Sequence, residues 1–405
     1  MWTPVFSTSK QISEIRLLLD EIANQLVKHK LHSHNPSLLD GNTGISIFFE
    51  KYFQFTKKPA YRLISQDLIN SAIQSIENNL STYTFCNGLA GIIWGGTYIH
   101  KSYGEPEPLT EFISNDVFAY LQEISIREIK SGNYDYLHGG LGYLLCAIDQ
   151  TACGYEAWSV CDELLKHLDS QAQKMTKGIS WPDGLKRREK GEILYNLGLA
   201  HGVPSIVVLL SMQFKITRSS RCKKMLEESI DWIMSTRLEG NSISLFPNWI
   251  SAENGNISRL GWCYGDLGVS ISLMHAATAT ANKKWMDDAI RIGMHSVNRR
   301  KIDETYVIDT PVCHGTTGIA HIFNRLYNYT GLNEFKEASQ YWFAQTLEFY
   351  NRHGHFKYYV HKENNSSGDW QTKFGIIDGI AGIGLTLISA ISDNEPTWDR
   401  ALLLS

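Results

Sequence analysis

Apolar residues recur at three- and four-residue steps in seven separate stretches of the chain. The first stretch runs from Gln11 to Lys30, and its apolar positions are Ile12, Ile15, Leu19, Ile22 and Leu26. The others are Tyr61 to Asn79, Thr110 to Lys130, Glu156 to Thr176, Ser220 to Arg237, Asn282 to Arg299 and Leu332 to Arg352. Such spacing predicts amphipathic helices that pack along one face and expose the other to water.

A second pattern alternates with the first: a Gly-x-x-Gly segment followed by a short run that is apolar on every side. Its seven copies begin at Gly41, Gly88, Gly139, Gly202, Gly265, Gly315 and Gly379. In the fourth copy Ser205 stands where the second glycine belongs. Because the copies lie roughly 45 to 65 residues apart, each repeat has room for a pair of helices.

Helices that are apolar all round must be buried, whereas amphipathic helices need one wet face. The pattern therefore predicts an all-α fold, an α/α toroid in which seven inner helices are enclosed by seven outer helices. Residues 1–405 are expected to form one domain of this kind. Three turn-rich insertions are expected to form short hairpins or lids, at Gly178 to Tyr195, Leu238 to Leu260 and Tyr350 to Phe374.

Composition excludes several classes of partner. The 405 residues carry a net charge of -4 and lack a run of basic residues, so nucleic acid is not an expected partner. The N-terminus lacks a secretory signal, and the apolar stretch from Gly379 to Ser392 is too short to span a membrane. We therefore expect a cytoplasmic protein, although a peripheral membrane complex is compatible with the sequence.

The seven cysteines form an odd, irregularly spaced set, which argues against a disulfide framework. When the repeats are aligned on their first glycines, polar residues recur just before them. Cys86, Cys263 and Cys313 lie two residues before the glycine, and His138, His201 and His314 lie one residue before it. In a closed ring these loops would share one end of the axis.

Cys263 comes from the fifth repeat, and Cys313 and His314 come from the sixth, so neighbouring loops would carry all three. Two thiolates and an imidazole suit zinc, and three protein ligands leave a fourth position open, as in catalytic zinc sites. By spacing alone, however, three such residues are more often unrelated core residues.

Three motifs make the interpretation more specific: Gly261-Trp-Cys-Tyr-Gly265, Cys313-His-Gly315 and Ala200-His-Gly202. They resemble the signature motifs of the lanthionine synthetase C-like family of lanthipeptide cyclases, and the resemblance spans nearly the whole chain. It implies a double ring of helices and Zn²⁺ held by Cys263, Cys313 and His314. It also implies that the metal activates a cysteine thiol of a dehydrated precursor peptide.

The same resemblance implies catalytic roles for four further residues: His201 as an acid or base, with Asp135, Arg259 and Tyr264 lining the site. Simpler alternatives exist for three of them. His201 could cap its helix, Arg259 could pair with a carboxylate, and Asp135 could be a helix N-cap.

The implied reaction adds the thiol to dehydroalanine or dehydrobutyrine and forms a lanthionine or methyllanthionine ring. A separate dehydratase is expected to supply the dehydrated peptide. Two other functions remain open at this stage. One is glutathione coupling, or glutathione or partner binding, by a protein with the same zinc site. The other is thiol alkylation by an enzyme resembling the protein prenyltransferases.

Overall fold

A computed structural model describes residues 2–30, 32–77, 82–104, 113–151, 157–184, 193–240, 242–251, 257–356, 358–360 and 368–405. The part of the chain that the structure describes is mostly helical, with 63% of the described residues in helices.

The helices in chain order are α1 (Ser9–Lys30), α2 (Asn42–Thr56), α3 (Pro59–Glu77), α4 (Leu89–Ser102), α5 (Asn115–Lys130), α6 (Gly142–Thr151), α7 (Trp158–Gln171), α8 (Val203–Thr217), α9 (Ser220–Ser235), α10 (Asp266–Thr280), α11 (Lys283–Ser296), α12 (Ile302–Thr305), α13 (Thr316–Thr330), α14 (Asn333–His353) and α15 (Ile380–Ile391). A 3₁₀ helix follows at Thr397–Leu402. The strands are β1 (Gln173–Lys174), β2 (Ile179–Ser180), β3 (Tyr195–Asn196), β4 (Trp249–Ile250), β5 (Tyr358–Val360) and β6 (Asp369–Gln371).

Among the described residues, each of the seven amphipathic stretches contains a long helix: α1, α3, α5, α7, α9, α11 and α14. The predicted ends at residues 78–79, 110–112 and 156 lie outside the described residues. Several described ends differ from the predicted ones by two or three residues, and the largest difference is at the end of α7. Helix α7 stops at Gln171 rather than near Thr176, because Gln173 and Lys174 pair with Ser180 and Ile179 in an antiparallel ribbon.

The glycine-led helices are buried on all sides over most of their length, as their composition predicts. Every residue of α15 is buried, and so is α8 from Val203 to Phe214. The first glycine of the repeat is the N-cap of six of these helices. Helix α6 instead begins at its second glycine, Gly142, because residues 140 and 141 still belong to the preceding turn. Among the six N-cap glycines, only Gly265 has a backbone conformation in the left-handed region, with φ of 101°, which favours glycine.

The chain divides into two compact units. The first comprises Met1–Thr82, Cys86–Ile113 and Val307–Arg400. Within it the inner helices pack in the order α13, α15, α2 and α4, so the last glycine-led helix of the chain lies against the first. The outer helix α1 packs on α15 and α2, α3 packs on α2 and α4, and α14 packs on α13.

The first unit also contains a buried charge cluster. His321 and Arg325 of α13 both contact Asp399, with distances of 2.7 Å from His321 Nε2 and from Arg325 Nε to Asp399 Oδ2. Arg325 Nη2 donates to Asp399 Oδ1 at 2.8 Å, and the guanidinium lies 4.7 Å from the ring centre of Trp2. The cluster thus connects the C-terminal segment to an inner helix and to the N-terminus.

The second unit comprises Tyr83–Phe85, Ser114–Tyr306 and Ala401–Ser405. Its inner helices α6, α8 and α10 pack in succession, with α7 on α6, α9 on α8 and α11 on α10. The predicted insertions contribute short ribbons, and β3–β4 joins two different insertions through the pairs Tyr195–Ile250 and Asn196–Trp249. Residues 185–192, 241, 252–256, 357 and 361–367 of the predicted insertions lie outside the described residues.

None of the helices in the described part of the chain combines the length and apolar character that are needed to cross a membrane.

Candidate metal centre and acid–base pair

Within each unit, loops before the inner helices are joined through their backbones at one repeated position, two residues before the glycine, and six of the seven loops take part. In the first unit the N–H of Cys313 donates to Ile377 O, that of Ile377 to Leu39 O, and that of Leu39 to Cys86 O, at 3.0 to 3.2 Å. In the second unit the N–H of Ala200 donates to Cys263 O at 3.4 Å. These hydrogen bonds fix the loops that carry the candidate residues.

The next position along each loop is polar in all seven repeats. Its residues are Asp40, Asn87, His138, His201, Tyr264, His314 and Asp378. The sequence interpretation used only the histidines and Tyr264, and it missed Asp40, Asn87 and Asp378. The repeat alignment already showed this pattern. A polar residue that recurs in all seven repeats beside a buried apolar helix is not expected at a position that serves only packing.

One group of three potential metal ligands stands out among the described residues: Cys263, Cys313 and His314. Each offers one ligand atom, and these atoms all lie within 4.8 Å of one another. Cys263 is buried, whereas Cys313 and His314 are partly accessible. These are the three residues that the family motifs implied as ligands.

The three donors fit zinc. In a tetrahedral site with bonds of about 2.3 Å to sulfur and about 2.0 Å to nitrogen, donor atoms stand about 3.5 to 3.8 Å apart. Two sulfurs and one imidazole are also a donor set that borderline-soft zinc accepts in catalytic sites. The group provides three protein ligands, which leaves a fourth position for another donor.

The surroundings of His314 are acidic and aromatic. Its Nε2 lies 3.8 Å from Asp309 Oδ2, and its ring stands edge-on to Tyr358 with centres 5.6 Å apart. A carboxylate near the outer nitrogen of a ligand histidine favours the tautomer that leaves Nδ1 for a metal. Burial raises the pKa of Asp378 to about 6, and the charge of His314 opposes this shift while Asp40 adds to it.

His201 and Asp135 form a directly bonded pair in the second unit. His201 Nδ1 lies 2.8 Å from Asp135 Oδ2. The other carboxylate oxygen, Oδ1, accepts the backbone N–H groups of Leu137 at 2.8 Å and His138 at 2.7 Å. Asp135 is therefore held by its own turn, and an acceptor at Nδ1 keeps the proton there when the imidazole is neutral.

The pair has the burial and charge expected of an acid or base. The His201 side chain is 27% exposed, and the ring of His138 stacks on it with centres 5.7 Å apart. Burial lowers the pKa of His201, but the hydrogen bond and charge of Asp135, together with the charges of Cys263 and Asp183, outweigh burial. The pKa of His201 is consequently raised above its ordinary value.

Among the residues that the structure describes, the simpler alternatives for these side chains are not observed. The N-cap of α8 is Gly202, which has no side-chain cap, so His201 does not cap that helix. Asp135 closes a turn well before α6 begins at Gly142, so it is not the N-cap either. The half-buried Arg259 side chain forms no hydrogen bond or ion pair with any residue that the structure describes.

Tyr264 lies beside His201, with ring centres 6.3 Å apart. Its hydroxyl oxygen is 3.2 Å from Asn196 Nδ2, and the same amide nitrogen donates to Asp183 Oδ2 at 2.9 Å. Burial raises the pKa of Tyr264 to about 12, so the phenol keeps its proton at neutral pH. Asn196 and Asp183 were not identified from the sequence, because neither occupies the repeated position before a glycine.

A family profile, a related protein and a solved structure each resemble this chain over most of its length. The family profile described as "Lanthionine synthetase C-like protein" matches residues 32–403. "Nisin biosynthesis protein NisC" of Lactococcus lactis subsp. lactis is 23% identical over 371 residues, which cover 84% of this chain and 83% of that protein. The solved structure of "Nisin cyclase" aligns with a TM-score of 0.74 and 18% identity over 96% of this chain and 97% of that one. The predicted α/α toroid is thereby confirmed.

Proposed function

Because the chain belongs to the lanthionine synthetase C-like family, we propose that it is a lanthionine-forming cyclase that uses Zn²⁺. Its substrate would be a precursor peptide that a separate dehydratase has already dehydrated. The product would be a lanthionine or methyllanthionine ring, made by adding a cysteine thiol to dehydroalanine or dehydrobutyrine. The observation that carries the proposal is the grouping of Cys263, Cys313 and His314 ligand atoms within 4.8 Å.

Zinc, when bound, would lower the pKa of the substrate thiol from its ordinary value of about 8.5, so that the thiolate forms at neutral pH. The two cysteines and the histidine would hold the ion. Protonation of the product and stabilisation of the developing charge would depend on the side chains of the second unit that surround His201.

Addition to the double bond moves negative charge onto the amide oxygen, and the α-carbon must then gain a proton. His201 is the proposed donor, from Nε2, because Asp135 occupies Nδ1. A raised pKa keeps more of the imidazole protonated at neutral pH, which suits this role. Arg259, with no partner among the described residues, is free to attract the charge that develops on the peptide.

The direct test combines metal analysis with a cyclisation assay. The probe is a peptide with one dehydroalanine and one cysteine a few residues away. Ring closure leaves its mass unchanged but protects it from a thiol-alkylating reagent. We expect zinc near one equivalent and rapid ring closure by the purified protein. Cys263→Ala should lose both. Cys86→Ala, at the equivalent position of another loop, is the matched control and should keep both.

The same assay separates the rival functions. Glutathione added to the mixture would give an adduct of higher mass if the protein couples glutathione instead. A prenyl diphosphate donor would give a prenylated thiol if the protein alkylates like a prenyltransferase. If the protein with its metal leaves the peptide thiol unprotected, the cyclase proposal is wrong.

Two wider expectations belong to this proposal. Residues 1–405 would act together as one cyclase domain, located in the cytoplasm. A dehydratase would have to act first, since the reaction consumes dehydrated residues.

A further inference from the structure

The side chain of Asn196 connects Asp183 to Tyr264, and every one of its hydrogen-bonding groups is assigned. Its Oδ1 accepts the backbone N–H of Gly198 at 2.8 Å. Its Nδ2 donates to Asp183 Oδ2 at 2.9 Å and contacts the Tyr264 hydroxyl at 3.2 Å. Asn196 and Asp183 are buried, so water does not compete with these bonds.

The orientation of the amide group follows from its neighbours. A backbone N–H is only a donor, so the atom that faces Gly198 must be the oxygen. A carboxylate is only an acceptor, so the atom that faces Asp183 must be the NH₂ group. One amide hydrogen bonds Asp183, and the other points at the oxygen of Tyr264. The Tyr264 oxygen is therefore an acceptor in this contact, and its own hydrogen is left to donate elsewhere.

Contacts with neighbouring residues fix the position of the Tyr264 ring. A Cβ atom on Gly198 would lie 2.8 Å from two atoms of the Tyr264 ring, so only glycine permits this close packing. The Ala200 N–H donates to Cys263 O, immediately before Tyr264. The pairing of Asn196 with Trp249 in β3–β4 holds the other end of the bridge.

We propose that the Asp183–Asn196 bridge directs the Tyr264 O–H toward the reacting peptide, where it donates a hydrogen bond to the enolate oxygen. This inference rests on the proposed cyclase function; it gives Tyr264 a specific role in that reaction and adds two positioning residues, Asp183 and Asn196. The new bond forms between sulfur and the β-carbon, and the π electrons of the double bond move to the amide oxygen. Their return makes the bond from the α-carbon to the proton that His201 delivers. Tyr264 keeps its own proton throughout.

An exchange of the two bridge residues tests the direction of the bond. In the double variant Asp183→Asn with Asn196→Asp, position 196 still accepts the Gly198 N–H, and net charge is unchanged. Its second oxygen now accepts from Tyr264, which turns the O–H away from the substrate. Loss of one such donor costs about 100-fold in kcat. Tyr264→Phe should lose the same amount, with KM for the peptide and zinc content unchanged in both variants.

Two further variants distinguish direction from simple damage. Asp183→Asn alone removes the charge but leaves Asn196 donating to Tyr264, so its loss in kcat should be at least tenfold smaller than that of the exchange. Adding Tyr264→Phe to the exchange should cause no further loss, because the O–H is already withdrawn.

Additive losses, or wild-type kcat in either the exchange or Tyr264→Phe, would overturn the inference. A wild-type protein that does not cyclise the peptide would instead count against the proposed function itself.

Discussion

The molecule contains two histidine–aspartate pairs of nearly equal length and opposite character. His201 Nδ1 lies 2.8 Å from Asp135 in the second unit, and His321 Nε2 lies 2.7 Å from Asp399 in the first. The pKa of His201 is raised, whereas that of His321 is lowered. A short contact with a carboxylate therefore does not by itself determine the protonation of a histidine.

Burial and a third charge explain the difference. His321 is fully buried, and burial together with the charge of Arg325 lowers its pKa more than the hydrogen bond and charge of Asp399 raise it. Its Nδ1 is buried and has no hydrogen-bond partner among the described residues, so a proton there would be unsatisfied. His201 keeps partial access to solvent and has no cation among the causes of its shift. One pair suits proton transfer, and the other suits structure.

Replacing His201 and His321 in turn should give the largest difference between the two pairs, in turnover for the first and in stability for the second. We predict that His201→Asn lowers kcat for cyclisation by about 1,000-fold, because general acid–base catalysis is typically worth 10² to 10⁴. Zinc content should stay near that of the wild type. The matched variant His321→Asn should lower the melting temperature but leave kcat per folded molecule within a fewfold. Normal turnover by the first variant would remove His201 from the mechanism.

Replacing the two aspartates should likewise affect different properties, stability for Asp399 and turnover for Asp135. Asp399→Asn leaves the buried Arg325 without its bidentate partner, and removing one member of a buried pair costs about 3 kcal/mol in the free energy of unfolding. Denaturant unfolding measures this loss. Unchanged stability would show that Glu395, 2.8 Å from Arg325, compensates fully.

Asp135→Asn should act on turnover more than on stability. The pKa of His201 falls when the carboxylate is removed, so the imidazolium persists only to lower pH. We expect kcat to drop by about tenfold at neutral pH and the high-pH limb of the kcat profile to move toward lower pH. If the high-pH limb of the kcat profile does not move, a group other than His201 determines it.

The smallest effect is on the pH dependence of stability. The folded-state pKa of His321 lies below its ordinary value, so the unfolded chain binds a proton first as pH falls. Stability should therefore decline as pH falls from about 6.5 toward the folded-state value. His201 has the opposite sign: its contribution is present below the ordinary value and is lost as pH rises through its raised pKa. His321→Asn should remove the acid-side decline.

The sequence predicts much of the fold because the two helical patterns differ along the whole chain. Buried helices such as α15 and amphipathic ones such as α1 are distinguishable by which faces are apolar. The late start of α6 and the early end of α7 were missed, because both depend on tertiary pairing and turn geometry. The ribbon β3–β4 joins segments that are more than 50 residues apart, which no local pattern reveals.

Some residues of the candidate site could likewise be identified from the sequence, and others could not. Cys263, Cys313, His314 and His201 could be identified because each precedes a repeat glycine within a family motif. Asn196 and Asp183 could not, since an asparagine and an aspartate in turn-rich segments are ordinary loop residues until a buried partner is known. The unequal roles of Asp135 and Asp399 also require burial to be known.

The central claim is that Cys263, Cys313 and His314 hold one zinc ion and leave a fourth position for the substrate. X-ray absorption at the zinc edge tests it most directly. The account predicts two sulfurs, one histidine nitrogen and one exchangeable light atom in the purified protein, with a third sulfur when the peptide thiol is added. A zinc ion with four protein ligands, or a sulfur count that the peptide leaves unchanged, would contradict it.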